Sequence, residues 1–531
     1  MIPFSEICIP QVHQSMPHCR LSEGPHCSAC LKLQQIQSKI RECKELLKTL
    51  YTQEVHIKSS INALHDPITR RLPRELVSEI FVLSSLHSVG TESFFNSRST
   101  SYLRYQFSLG SVSKTWRNIV RSTPQLWTTI PISLRTNALP QMELLCLHLK
   151  LSGSLPLHIQ ARTGYTPSAL DYSKLVPILE TLNVFSYRWK TLDLDIPPQL
   201  LSHVKGGPSG APMLECLRVY CSHGQMEPTA ACFQVPYGPP SPRVVDTYGI
   251  AFPSIRITWK NVTEATICVL KYHECLALFK HATELVSLTT KVLIAANPDP
   301  NLCEVVTALR LASLDVEISG NASLFFEKLT LPSLVTLNVD GKGPFDSLEH
   351  LFRRSMCPLR SLSFFGPDFG RVDIIAILRA TLLLEELVFS SAIFRGLDEF
   401  FKTLANTKLL NDVAPDSHSI FLPRLATLQF FGSIEVPWHM VSSLFPPDQR
   451  PPHARYRPLR GLECFLYIDE DENYYLEKDV VLQILDIRRQ GHIITIRDEE
   501  NDADLIQVSY DHHVGSISAH ATSLQRSCTS T

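Results

Sequence analysis

The 531-residue sequence has no apolar run of the roughly 18 residues that a membrane-spanning helix needs, so no membrane association is expected. Its start, MIPFSEICIPQ, has neither a basic n-region nor a long apolar stretch, which makes it a poor secretory signal. Charge of one sign is also lacking. Fifty Lys and Arg against 52 Asp and Glu leave a net charge of −2, and no basic stripe points to a nucleic acid. The chain contains no G-x-S-x-G, P-loop, H-E-x-x-H or G-x-G-x-x-G motif. No catalytic residue, cofactor or metal is therefore assigned, and the chain is read as a non-enzyme. The acidic run Asp469 to Glu472 lacks the alternating ligands and central glycine of a calcium loop, and reads as a solvated turn.

The 15 cysteines are scattered, and most lie in apolar segments, as Cys146, Cys216 and Cys268 do. They read as small buried hydrophobes in a reducing compartment, cytoplasmic or nuclear. His18, Cys19, His26, Cys27 and Cys30 include one CxxC. With no second pair at finger-like spacing, a loop with free thiols is favoured over zinc. The residues after Cys528 are polar rather than aliphatic, which speaks against prenylation.

Residues 1–30 are rich in Pro, Cys and His and read as irregular. Across residues 31–65 a heptad seam follows: Leu33, Ile36, Ile40, Cys43, Leu47, Leu50, Glu54, Ile57, Ile61 and Leu64 step by 3 and 4 without a break. A coiled coil that self-associates and a single amphipathic helix lying on its own domain both satisfy that pattern. Asp66-Pro67 ends the helix, because the residue before proline is pushed out of the helical region. In the next helix, from Leu72 to Leu86, Pro73 suits the first helical position and Glu75 the positive end of the dipole. Its apolar set, Leu76, Val77, Ile80, Phe81 and Leu83, is too broad for one stripe, so two sides are expected to be covered. Residues 87–108 read as a polar, Ser-rich loop insertion. Val112, Trp116, Ile119 and Val120 then fall at helical spacing, and Leu126-Trp127 follows Pro124.

LPRELVSEIF, VSKTWRNIV and STPQLW together resemble an F-box, in particular that of fungal, basidiomycete-type proteins. That family carries an N-terminal coiled coil, LPxEILxxIF, VCxxWR and tPxLW segments, and a later W-L-x-R-S-G-x-x-P-L, which LKLSGSLPLHI (149–159) matches loosely. The resemblance covers residues 30–160. Ser113 stands where the family often has Cys, and the 87–108 insertion is long. The F-box is placed at 66–135. The resemblance implies docking on the Skp adaptor of a cullin-type (SCF) ubiquitin ligase through Leu72, Pro73, Leu76, Ile80, Phe81, Val112, Trp116, Leu126 and Trp127, about half of them in contact and the rest core.

From about residue 170, within a second domain placed at 136–497, another rhythm appears, short L-x-x-L-x-apolar runs centred on Leu192, Leu217, Leu314, Leu337, Leu362, Leu387 and Leu428, with a weaker copy at Phe465. The steps 192 to 217, 314 to 337, 337 to 362 and 362 to 387 are 25, 23, 25 and 25 residues, inside the leucine-rich-repeat range. Helical patterns lie between them, at 345–354, 372–380 and 397–404. The expected fold class is α/β: a long helix and a small all-α F-box, then a leucine-rich-repeat-like curved α/β solenoid. A parallel α/β domain without true repeats is the competing reading. Outward positions Thr336, Asn338, Ser361, Ser363, Thr427 and Gln429 would face a protein substrate. Residues 498–531 read as an acidic, Ser-rich disordered tail. The implied function is a ubiquitin-ligase substrate receptor, with a protein-interaction scaffold outside any ligase, using the same repeat surface, as the alternative.

Overall fold

The computed structural model describes residues 28–514 apart from 67, 88–104, 134–137, 163–172, 174, 222–231, 296–303, 342–344, 346, 367–373, 391–395, 408–420, 433–435, 447–455 and 469–473. It divides into two compact units, Met1–Trp127 and Thr128–Thr531.

The first unit is helical: α1 (Ser28–His65), α2 (Arg74–His87), α3 (Tyr105–Val112) and α4 (Lys114–Arg121), closed by a 3-10 turn at Pro124–Trp127. The seam helix α1 runs 38 residues, and its side chains are exposed wherever described. Among the described residues the seam side chains of α1 are uncovered. Pro73 sits one residue ahead of α2, and its carbonyl accepts the first helical bond from Val77 N–H at 3.2 Å. Two expectations need correction here. Helix α3 begins at Tyr105, inside the stretch read as an insertion loop; residues 88–104 lie outside the described residues. The run from Val112 to Val120 is also not one helix. Ser113 is extended, at φ −152° and ψ 167°, and its hydroxyl accepts from Trp116 N–H at 3.1 Å. A serine that caps a new helix in this way ends the previous one, and so Val112 belongs to α3. The core of this unit is Val77, Phe81, Ile119, Val120, Leu126 and Trp127.

The second unit is mixed α/β. Its strands are β1 (Thr129–Ser133), β2 (Leu157–Arg162), β3 (Trp189–Asp195), β4 (Cys216–Tyr220), β5 (Phe233–Gln234), β6 (Val244–Tyr248), β7 (Ile255–Arg256), β8 (Glu264–Lys271), β9 (Ser287–Leu293) and β10 (Val306–Thr307). They continue as β11 (Ser313–Ser319), β12 (Leu329–Thr330), β13 (Thr336–Gly341), β14 (Ser361–Phe365), β15 (Glu386–Ser390), β16 (Thr427–Phe431), β17 (Gly461–Leu466), β18 (Ile493–Asp498) and β19 (Ala503–Asp504). Fifteen of these form one open sheet in the order β1-β2-β3-β4-β6-β8-β9-β11-β13-β14-β15-β16-β17-β18-β19. Every neighbouring pair in it is parallel except β18–β19. Because β1 pairs with β2, the boundary expected at 135 moves back to Trp127. The short run Ile130-Pro-Ile132 is a strand of this sheet rather than the end of the helical unit.

The register explains the leucine rhythm. Leu314, Leu337, Leu362, Leu387, Leu428 and Leu462 stand directly beside one another across consecutive strands. Two residues further on, Phe364, Phe389 and Phe430 form a second row, stacked at 5.8 and 5.6 Å between ring centroids. Strand side chains alternate between faces, so both rows point to one side. There they join a single apolar core with residues of the intervening helices, among them Leu351, Phe400, Phe401 and Ile484. The turn after β14 begins tightly. Gly366 has φ 154°, and a Cβ there would lie 2.6 Å from Gly341 O.

Two sheet strands, β6 and β8, were not legible as repeats, since VVDTY and EATICVLK carry no leucine pair. The segment around Ile255 forms only the short β7, which pairs with β5 outside the large sheet. Cys146 is exposed and Cys216 and Cys268 are half-buried, whereas among the described residues Cys221, Cys275 and Cys464 are the buried thiols. Strand parity accounts for Cys216, which shares its face with Arg218. The disordered tail also needs correction for residues 498–514. Asp498 accepts from Glu500 N–H at 3.1 Å and Asn501 Nδ2 at 2.7 Å, so these acids shape a turn instead of a solvated run. Residues 505–514 are helical, with Leu505, Ile506 and Ser509 buried. Residues 515–531 lie outside the described residues.

Candidate protein-interaction surfaces

The helical unit separates the expected adaptor residues into two groups. Phe81, Leu126 and Trp127 are buried, and Trp116 and Leu72 are half-buried. Trp127 Nε1 donates to Val120 O at 2.8 Å, and Gln106 Nε2 donates to Leu126 O at 2.6 Å. Trp116 packs on Phe81, with centroids 4.7 Å apart. These are core contacts. Leu76 and Ile80, by contrast, are 47% and 41% exposed, as are Pro73 and Val112 to similar effect. Leu83, which the sequence reading left off the site, is 56% exposed and continues the Leu76–Ile80 stripe at helical spacing. Phe107 of α3 is also exposed; its ring meets Trp127 edge-on at 5.8 Å. Tyr105 Oη donates to Phe81 O at 3.3 Å, which holds the start of α3 against α2. The helix therefore buries Val77 and Phe81 on one side and leaves an apolar stripe on the other.

The second surface is the face of the sheet opposite the core. Thr336, Ser361 and Thr427 fall in one register row, and Asn338, Ser363 and Gln429 in the next. All are half-buried except Ser363, which is buried. Towards β3 these rows become charged. Asp193 pairs across the strands with Arg218, and Arg218 with Asp246. Tyr220 Oη donates to Asp246 Oδ2, and Lys291 is ion-paired with Glu317, which in turn neighbours Asp340. Asp193 is 1% exposed, and Arg162 Nη2 is 3.6 Å from its Oδ2, just beyond hydrogen-bonding reach. Burial pushes its carboxyl above the usual range, and the nearby Arg162 and Arg218 only partly offset that. Burial raises Asp340 likewise, with Glu317 adding to it. Towards β18 the same face turns aromatic. Phe431 and Phe465 stack at 4.8 Å with Phe365 and Ile493 exposed on other strands of the face. The outward positions of the L-x-x-L-x-apolar runs were the signal for these residues, and strand parity identifies them.

This arrangement offers hydrogen-bonding, charged and aromatic groups along an open sheet face, which suits an extended macromolecular partner. Among the described residues no group of three or more His, Cys, Asp or Glu could hold a metal ion. The N-terminal Cys/His cluster from His18 to Cys27 lies outside the described residues, as does the side chain of Cys30. No described helix is long and apolar enough to cross a membrane. Compared with protein-family models and with curated proteins, the chain matches none.

Proposed function

We propose that the chain is the substrate receptor of a cullin-type ubiquitin ligase. In this reading the helical unit is an F-box docked on a Skp-type adaptor. The second unit is a leucine-rich-repeat-like curved solenoid that holds a protein substrate on its open sheet face. The supporting observation is the two-sidedness of α2: Val77 and Phe81 form the core while Leu76, Ile80 and Leu83 stay exposed. Contiguous exposed apolar side chains on a small helical unit mark a docking surface. The sequential parallel pairing of strands at near-constant register supports the repeat reading. The mechanism is tethering: a bound substrate is held near the ligase's activated ubiquitin, which raises the effective concentration of its lysines. No bond chemistry is asked of this chain.

Capture of the purified chain by a Skp-type adaptor tests the reading. Leu76→Asp should abolish capture while the chain stays folded. If Leu76→Asp binds the adaptor as tightly as the unaltered chain, the F-box assignment falls. Co-recovery of a cullin separates a ligase subunit from a scaffold that uses the adaptor alone.

A further inference from the structure

We infer that α1 pairs with α1 of a second copy of this chain in an antiparallel two-stranded coiled coil, centred between Lys48 and Thr49. This inference does not depend on the adaptor reading. Its first ground is exposure. Leu33, Ile36, Ile40, Leu47, Leu50, Ile57 and Ile61 of the seam are all between 48% and 57% exposed. A groove along the seam is lined by Ile36, Ile40, Cys43 and Leu47 with the stems of Lys39 and Lys44. A sustained 3–4 seam of this kind is the signature of a helix that pairs with another helix.

The second ground is how the polar residues fall. Taking Leu33 as an a position puts Glu54 at a, Lys44 and Lys58 at e, and Lys39 at g. In a parallel, in-register pair Glu54 would face its own copy in the seam. Lys39 would also face Lys44 of the second copy, and this clash would occur twice. Like charges placed opposite one another are destabilising. In the antiparallel pair centred at 48/49 the layers become Ile36 with Ile61, Ile40 with Ile57, Leu47 with Leu50 and Cys43 with Glu54. The e positions then flank e positions of the second helix, and g positions flank g. Lys44 comes beside Glu54 across the seam and next to Tyr51, while Lys39 meets Ser60. Every like-charge contact of the parallel pair is gone, and an opposite-charge contact replaces one of them. The parallel pair would gain Leu46 against Tyr51, a flanking apolar contact made twice, against three like-charge contacts. Lys58 pairs with Glu54 within its own helix at 2.6 Å, and does so in either orientation. The discrimination therefore comes from what faces Glu54, Lys39 and Lys44 across the seam. Because this register is self-complementary, a second copy is the occupant that fits.

A consequence follows for the helical unit. At about 1.5 Å per residue the two Asp66 ends lie roughly 50 Å apart along the coil. The two copies of α2 thus leave from opposite ends, and two adaptors could dock without crowding each other.

Light scattering on the full purified chain should give twice its 59.9 kDa. Ile40→Glu with Leu50→Glu, both at exposed positions, should return it to a single chain's mass while its circular dichroism melt stays in place. Orientation is read by disulfide formation with a copper–phenanthroline oxidant. Two Cys43 residues in the antiparallel pair are about 16 Å apart along the axis, well beyond disulfide reach. Glu54→Cys should therefore form a covalent dimer that disappears when Cys43→Ser is added, and the unaltered chain should form none that depends on Cys43. A single-chain mass for the unaltered protein at micromolar concentration overturns the pairing. A Cys43-dependent dimer of the unaltered chain overturns the antiparallel orientation.

Discussion

The indole N–H of Trp116 donates to Asp66 Oδ2 at 2.7 Å, joining the end of the seam helix to α4 across 50 residues of sequence. Asp66 also accepts from Ile68 N–H at 3.0 Å, Thr69 N–H at 3.1 Å and the Thr69 hydroxyl at 2.5 Å. The carboxylate thus closes the turn between α1 and α2 and orients the tryptophan that packs on Phe81. Burial works against its ionisation, but the Thr69, Trp116 and Ile68 hydrogen bonds outweigh it and hold the carboxyl below its usual range.

Asp66→Ala is expected to cost about 1.5–3 kcal/mol in the helical unit, the range for hydrogen bonds to a charged group. Trp116→Phe keeps a ring against Phe81 and loses only the donor. The double variant should show a coupling of roughly 1 kcal/mol. Hydrogen exchange at the α4 amides reads it, and zero coupling would remove Asp66 from this role. The pH dependence has a definite sign. A carboxyl whose folded pKa is depressed contributes fully above its unfolded pKa, about 3.9, and loses that contribution as pH falls through the lower folded value. Protection of α4 should therefore weaken below about pH 4 in the unaltered chain, and less so in Asp66→Ala.

Exposure divides the residues of α2, so variants there should divide too. Leu76→Asp and Ile80→Asp sit on the exposed stripe and should leave the melting midpoint nearly unmoved, within about 0.5 kcal/mol. Both should weaken capture by the proposed adaptor at least tenfold. Phe81→Ala empties a buried aromatic site and should cost roughly 3–5 kcal/mol. If Leu76→Asp unfolds the unit while Phe81→Ala does not, the division of α2 is wrong.

Periodicity made much of this legible. The seam from Leu33 to Leu64 and the Leu192-to-Leu428 rhythm were readable because 3.5 and 2 are the periods that helices and strands impose on apolar residues; Phe465, read as the centre of a last copy, instead stands beside Phe431 on the opposite face, and Leu462 continues the leucine row. Strand parity likewise put Thr336 and Asn338 on the face opposite Leu337 in advance. The segments that escaped lack the pattern. Strand β6 has Val245 where a leucine stands in the neighbouring strand and the polar Thr247 at its next inward position, and β8 carries a register shift between Ile267 and Val269. Ser113 looked like a helix interior because nothing local distinguishes a capping serine from a solvent-facing one; the difference is its extended backbone. Composition also misled at 498–514, where Asp498 and Asp504 make turn and cap contacts while Leu505 and Ile506 are buried.

The phenylalanine row predicts a local defect. Phe389 lies between Phe364 and Phe430 in the stack and also meets Phe400 edge-on at 5.9 Å. Phe389→Ala should cost roughly 3–5 kcal/mol through lost burial and the cavity left behind. Each strand pairs only with its immediate neighbours, so exchange protection should fall first in β14, β15 and β16. Uniform loss from β1 to β18 would mean the sheet behaves as one cooperative block.

A buried arginine gives the sharpest test of the second unit. Arg457 is 3% exposed. Its Nε donates to Leu422 O at 2.9 Å and Nη1 to Leu404 O at 2.7 Å, while Nη2 donates to Phe421 O at 2.5 Å, Thr407 Oγ1 at 2.9 Å and Thr407 O at 3.1 Å. Leu422 is itself strained, at φ 47°, a conformation that side-chain-bearing residues adopt only when their surroundings hold them there. Burial pushes the guanidinium pKa down to about 10, so the group remains charged at neutral pH with backbone carbonyls around it. Arg457→Lys keeps the charge, but its donors radiate from one nitrogen and do not span carbonyls that the planar fork reaches together. At least two carbonyls should lose their partner, at about 1–3 kcal/mol each. The expected loss is therefore roughly 2–6 kcal/mol by denaturant titration, with exchange rising at Leu404–Thr407 and Phe421–Leu422. Arg457→Met, which removes every donor, should lose at least as much. Equal stability of the Lys variant and the unaltered chain would show that charge alone, rather than the fork, holds these segments together.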